Sequence, residues 1–226
     1  WTGYARGYCR RLDILMKWTY ADGEMRSVPF WTDMLLGACE PGQRVLANTQ
    51  LLWKPGAVAD VAYGLAPDIV REASWLTLMC GGGAMSHWGD FLVRDDPDRY
   101  IPQDSGDFKG LATWPETSRE LAALGGTLFA PLGPLFTVLS RPRADVALFT
   151  SYTDEAFRAF AHHGPLSARY GDFLDLHVPV DILFEEDVEA GALSRYRVLT
   201  IDGIRYMRRS VRERIAAFAR NGGLVV

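Results

Sequence analysis

Two short runs carry the side chains best placed to do chemistry. Asp33 sits late in the run PFWTDM, which overlaps the strand-like stretch Phe30–Leu36 (FWTDMLL), and His87, Trp88 and Asp90 stand at or just past the end of Ala84–Trp88 (AMSHW). Both runs are apolar and short enough to read as buried strands. In a β/α barrel, side chains at the C-terminal ends of strands line the active site. A carboxylate there could act as nucleophile or acid on a glycosidic bond, a reaction that needs two carboxyls flanking one sugar linkage. The partner of Asp33 would come from Glu40, from Asp90 or from a residue outside this chain. Each position also has a plainer reading. An Asp after a strand often serves a turn or a helix cap, and His87 beside an indole fits a packed core.

The aromatic content is compatible with sugar chemistry, although composition alone favours core filling. Six of the seven tryptophans fall between Trp1 and Trp88. An indole face offers flat apolar area to sugar C–H groups, and it fills a core equally well. Trp31, two residues before Asp33, therefore joins His87, Trp88 and Asp90 as a candidate sugar contact.

Other constellations carry less. The triplet Gly81–Gly83 invites a phosphate-loop reading, but such loops run from a strand into a helix N-terminus. Here the predicted order is helix then strand, so the triplet reads as a tight turn. The loop acids Asp95, Asp96, Asp98, Asp104 and Asp107 lack the alternation and glycine of a calcium loop. His162 and His163 are expected to close a short helix before Gly164, where cationic side chains suit the helix dipole. No metal is expected there. Cys9, Cys39 and Cys80 are odd in number and scattered, which argues against a disulfide framework and against a cysteine zinc site.

The elements that must position these residues show two styles. From Ala144 onward the grammar is strand, helix, strand, helix, strand. Asp145–Phe149, Val180–Phe184, Val198–Asp202 and Gly223–Val226 are continuous apolar runs of the kind found in parallel sheets with helices on both faces. Ser210 and Glu213 spell a capping box, and Asn221–Gly222 a helix stop. Before Ala144 the pattern is looser. Tyr4–Met25 reads as an amphipathic helix, Arg44–Trp53 as a strand or extended loop, and Lys54–Ala66 as mostly irregular. Pro67 opens a helix running to Cys80 that is apolar nearly all round and expected to be well buried. Gly89–Gly110 reads as a long loop and Pro115–Leu124 as a helix. The Pro- and Gly-broken stretch 131–142 is the best boundary. A chain that starts on Trp1 and stops on a parallel strand is expected to be a segment of a longer protein.

Composition excludes several classes. The 226 residues are 48% hydrophobic and 23% charged, with a net charge of −4 and no long run of either sign. That gives no electrostatic support to nucleic-acid or membrane-surface binding. The longest apolar stretch, near Trp75–Gly83, is too short and too glycine-rich to span a membrane.

Four segments after Ala144 resemble the domain that follows the barrel in family 42 glycoside hydrolases, the β-galactosidase trimerisation domain. They are DVALFTS, HVPVDILFEED, LSRYRVLTIDGIRYM and SVRERIAAFARNGGLVV. That domain is itself similar in fold to class I glutamine amidotransferases, without their catalytic residues. Earlier in the chain, VPFWTDM, PDIVREASWLTLMCGGGAMSHWGD and PETSRELAALGGTLFAPL resemble the last turns of such a barrel. The resemblance implies an α/β chain with two parts. Residues 1–139 would be the C-terminal part of a (β/α)8 barrel, and residues 140–226 a partial flavodoxin-like, amidotransferase-like parallel-sheet domain.

The same resemblance implies a parent enzyme that hydrolyses β-galactoside-like substrates by a retaining two-carboxylate mechanism. Asp33 would be its nucleophile candidate, and His87, Trp88, Asp90 and Trp31 its sugar contacts. The family carries Glu at that nucleophile position. Either the register differs, with Glu40 or Asn48–Gln50 involved, or this member is altered or inactive. The general acid would lie upstream, so the segment alone is expected to be inactive. No cofactor is implied. The implied partners are an oligosaccharide or glycoside and further copies of the parent in a homo-oligomer, of the trimer kind. The cysteine usage fits a cytoplasmic setting. The alternatives are a non-catalytic carbohydrate-binding or assembly protein on the same scaffold, and an active amidotransferase, which would need a Cys at a strand-to-helix elbow.

Overall fold

A computed structural model describes residues 12–20, 25–50, 52–53, 63–64, 66–88, 115–139, 141–159 and 161–226. The described residues divide into two compact units, one formed by 12–15, 33–43 and 141–226, the other by 16–32 and 44–139.

The second unit is built on a three-stranded sheet of order β1-β2-β5, with β1 Ile14–Tyr20, β2 Arg44–Gln50 and β5 Ala84–Trp88. The β2–β5 pair is parallel, Leu46 standing opposite Ala84 and Gln50 opposite Trp88. A two-residue antiparallel pair, β3 Leu52–Trp53 with β4 Tyr63–Gly64, stands beside it in the chain. The strand at β1 corrects the helix expected over Tyr4–Met25. Leu15 is buried while Ile14 and Met16 are half exposed, an alternation that belongs to a strand. The rest of that expected helix falls largely outside the described residues.

The second correction concerns Phe30–Leu36, which lies inside helix α1 (Ser27–Ala38) rather than in a strand. Val28, Phe30, Thr32, Asp33, Met34 and Leu35 are all buried, and a helix covered on most sides shows little apolar periodicity. Pro29 is tolerated because it falls in the first turn, whose N–H groups have no intrahelical acceptor. Helix α2 (Pro67–Met79) starts on Pro67 as expected. Its burial is one-sided: Val70, Ala73, Ser74, Thr77 and Leu78 are buried, whereas Met79 is 70% exposed. Val28, Val70, Ala73 and Leu78 pack with Leu124 and Leu128 from α3 (Pro115–Leu124) and the π-turn that follows it, which continues into α4 (Ala130–Phe136).

The glycine triplet is the tight turn its order predicted. Gly81 has φ +91°, in the left-handed region. Gly82 donates to Thr77 O at 2.9 Å, and Gly83 donates to Val45 O at 2.9 Å, which delivers the chain to β5. A Cβ on Gly82 would lie 2.6 Å from Thr77 Cγ2.

The other unit is the α/β sheet anticipated from the C-terminal grammar. Strands β6 (Val146–Phe149), β7 (Val180–Leu183), β8 (Val198–Thr200) and β9 (Leu224–Val225) run parallel in the order β7-β6-β8-β9. All four residues of β6 are buried, because Ala147 and Phe149 face one layer of helices and Val146 and Leu148 the other. One core joins Ala147, Phe149, Leu183 and Leu199 to Val211 and Ile215 of helix α8 (Arg209–Arg220). Burying each such aliphatic side chain stabilises the unit by about 1.5–3 kcal/mol. The connecting helices are α5 (Tyr152–Arg158), α6 (His163–Asp175) and α7 (Glu185–Glu189).

Helix α8 ends on Asn221–Gly222 as predicted, but the expected capping box does not form. Ser210 lies inside the first turn and donates to Glu189, while Glu213 pairs with Arg209 at 2.8 Å. Among the described residues no helix is long and apolar enough to cross a membrane.

Candidate functional site

In the three-stranded unit, two of the sequence-predicted positions, His87 and Trp88, lie at the C-terminal end of β5, beside that of β2. The parallel register sets Asn48 opposite Ser86, Thr49 opposite His87 and Gln50 opposite Trp88. His87 is half-buried there. Ligands of open α/β sheets bind outside the carboxyl ends of the strands, so these pairs occupy the favoured place. Asn48 is 8% exposed. Its Nδ2 donates to Met16 Sδ at 3.6 Å, and its Oδ1 has no hydrogen-bond partner among the described residues. A buried amide oxygen left without a donor costs about 1–3 kcal/mol, which a donor at this strand end would relieve. Asp90 and the loop acids Asp95–Asp107 lie outside the described residues.

Trp31 is placed differently from its expectation. It projects from α1, not from a strand end, and the Lys17 ammonium of β1 stands 4.2 Å from its ring centroid. That cation–π contact and partial burial, which lowers the Lys17 pKa, account for both side chains structurally.

Asp33 belongs to the four-stranded unit and sits mid-helix, 5% exposed. Arg141 Nη2 donates to its Oδ1 at 2.7 Å and the Tyr170 hydroxyl to its Oδ2 at 2.8 Å. Burial raises the Asp33 pKa to about 6, outweighing Arg141 and Tyr170, which pull it down. With one strong donor on each oxygen, this carboxylate has the surroundings of a fold-holding group. The strand-end argument for it as a nucleophile does not survive its place on a helix. Glu40, the other carboxylate considered, lies in the turn after α1, where its N–H donates to Gln43 Oε1 at 2.7 Å.

Sequence reasoning missed the densest polar cluster, at the carboxyl ends of β6 and β8. Asp154, fully buried, accepts from Arg158 Nη2 at 2.7 Å, from the backbone N–H groups of Arg205 and Tyr206 at 2.8 and 2.9 Å, and contacts His162 Nδ1 at 3.1 Å. Burial alone would raise its pKa, but these donors outweigh it and hold the carboxyl at about 2. His162 is fully buried, with Nε2 3.0 Å from Thr150 Oγ1, and burial lowers its pKa. His163 bonds Glu155. The histidine pair does not close a helix. His162 caps the start of α6, and His163 is its first residue. Glu155, His162 and His163 offer ligand atoms within 4.8 Å of one another, a group able to hold a metal ion. Two adjacent histidines following an acidic helix were the available signal, but nothing local predicted that Glu155 would face them.

No family model matches the sequence, and no curated protein matches it. The fold does have solved neighbours. One is the crystal structure of the β-galactosidase from the psychrophilic Marinomonas ef1, similar with a TM-score of 0.59 at 18% identity. The similarity covers 92% of this chain and 32% of that one, so the chain spans about a third of the neighbour's length. At that identity the likeness is one of fold: mixed α/β with parallel sheets.

Proposed function

We propose that this chain is part of a glycoside hydrolase of the family 42 kind. It would contribute the last elements of a barrel and the first strands of an amidotransferase-like domain that serves assembly, in a homo-oligomer. The carrying observation is the fold likeness to a β-galactosidase over 92% of the chain. It is supported by the position of His87 and Trp88 at the carboxyl end of a parallel strand. The substrate class is a β-galactoside-like glycoside, cleaved with retention through a carboxylate pair.

In this reading the chain's own residues contact the sugar, while the carboxylate pair comes from elsewhere in the protein. His87 hydrogen-bonds a sugar hydroxyl, Asn48 accepts from another, and Trp88 is the aromatic candidate at the strand's last position. Asp33 is set aside as nucleophile because it lies buried in the middle of α1 and not at a strand end.

The burial of Asp33 within α1 also favours a second reading, a non-catalytic carbohydrate-binding or assembly protein on the same scaffold. Hydrolysis of an aryl β-galactoside by the full-length protein carrying this chain separates the two. Turnover with a β-configured first product, followed by NMR, is expected. Sugar binding without turnover would establish the second reading instead.

A further inference from the structure

The polar cluster of the four-stranded unit sits at the one place where that sheet reverses its winding. From β6 the chain passes to β7 on one side, and then to β8 on the other side of β6. Parallel sheets bind ligands in the crevice outside the carboxyl ends of the strands at such a point. Here that crevice is tied shut. Asp154, from the helix after β6, accepts the N–H groups of Arg205 and Tyr206 from the loop after β8, and Arg158 donates to Gly203 O in the same loop. A Cβ on Gly203 would come within 2.9 Å of Pro165 Cγ.

We infer that Glu155, His162 and His163 bind a divalent transition-metal ion of the zinc class at this switch point. The argument starts from the placement of the three side chains. His162 Nδ1 stands 3.1 Å from Asp154 Oδ2, and Nε2, the other ring nitrogen, stands 4.0 Å from Glu155 Oε1. Nε2 also lies 3.0 Å from Thr150 Oγ1, a hydroxyl that can rotate away when an ion takes that nitrogen. Among the described residues no lysine or arginine pairs with Glu155; its ionic partners are the two histidines. A cation shared by the two imidazole nitrogens and the carboxylate oxygen would supply a fixed positive charge beside Glu155.

The geometry fits. Zinc takes nitrogen and oxygen ligands at about 2.0–2.2 Å, which sets tetrahedral donors roughly 3.2–3.5 Å apart. The three donor atoms lie within 4.8 Å of one another, so small side-chain rotations close them on an ion. Asp154 on the far ring nitrogen of His162 is the carboxylate–histidine pairing that orients metal ligands. The His163 side chain is 14% exposed, which provides an entry route, and water completes the fourth position. The ion would fasten α5 to α6, and its presence is independent of the glycosidase reading.

The test uses the full chain, stripped with a chelator and free of any histidine tag. Zinc titration should show one equivalent bound, and cobalt(II) should give the intense visible bands of a tetrahedral nitrogen and oxygen site. His163→Ala replaces a partly exposed side chain and should keep the native circular dichroism while weakening zinc binding at least tenfold. Asp154→Asn should weaken it by about 10–100-fold. Zinc should raise the melting temperature of the wild type and leave that of Glu155→Gln unmoved. Cobalt that keeps its pale octahedral spectrum, or zinc binding equal in wild type and His163→Ala, would overturn the proposal.

Discussion

Tyr170 donates its phenol hydroxyl to Asp33 Oδ2 across 2.8 Å, although the two residues stand 137 positions apart in the chain. The contact makes an acid that reads as catalytic in sequence into a buried tie between α1 and α6. It also sets how stability depends on pH. Burial places the folded-state pKa at about 6, above the ordinary 3.8. The contribution is therefore fully present below pH 3.8 and lost as pH rises through about 6. Asp33→Asn should remove that slope, by on the order of 3 kcal/mol at most. Urea unfolding of both proteins from pH 4 to 8 checks this: the wild type should lose stability relative to the variant across the window. A constant difference would place the Asp33 pKa at its ordinary value.

Asp154 should show the opposite sign. Its folded-state pKa of about 2 means the stabilisation is present above pH 3.8 and fades as pH falls through about 2. Asp154→Ala strips the acceptor from Arg158 and from two backbone N–H groups, and should cost about 3–5 kcal/mol. Thermal melts at pH 7 test the loss, and acid titration of the wild type tests the window. A variant within about 0.5 kcal/mol of the wild type would mean that solvent replaces the lost bonds.

Gly37 is a third point of leverage. Alanine is the better helix former, yet a Cβ here would lie 2.3 Å from Ile182 O in β7. Gly37→Ala should destabilise the four-stranded unit by about 1–3 kcal/mol, through overpacking that the propensity gain does not offset. Gly42, in the turn beyond, has nothing within 4 Å of a Cβ, but its φ of +91° strains any alanine. The informative control is therefore Gly126→Ala, in open space at ordinary φ, which should be near neutral.

What could be read in advance followed from how each element is buried. The strands of the four-stranded sheet announced themselves because a parallel strand covered on both faces must be a continuous apolar run, as Val146–Phe149 is. The same logic failed at Phe30–Leu36. A helix buried on most sides produces an equally continuous run, and only its length, reaching back to Ser27, distinguishes it. At Ile14–Tyr20 a helical spacing carried in from Tyr4, Tyr8 and Leu12 to Leu15 and Met16, with Arg6, Arg10, Arg11, Asp13 and Lys17 opposite, imitated an amphipathic helix, while Trp18, Thr19 and Tyr20 already favoured a strand.

The strand end that carries the candidates His87 and Trp88 was legible because one local run encodes it. It was hidden where partners come from far along the chain. Asp154 meets Arg205 and Tyr206 some fifty positions away, and the chain reaches the histidines that face Glu155 only after the left-handed Ala159 ends α5.

The central claim is that the carboxyl end of β5 touches sugar in a β-galactoside-cleaving protein. It is tested most directly by kcat/KM for an aryl β-galactoside, compared between the full-length protein and its His87→Ala variant at matched melting temperature. Losing one hydrogen bond to the substrate should lower kcat/KM by about 10–100-fold, equivalent to roughly 1.5–3 kcal/mol. Equal kcat/KM in the two proteins, or no turnover of any aryl glycoside by the wild type, would contradict the account.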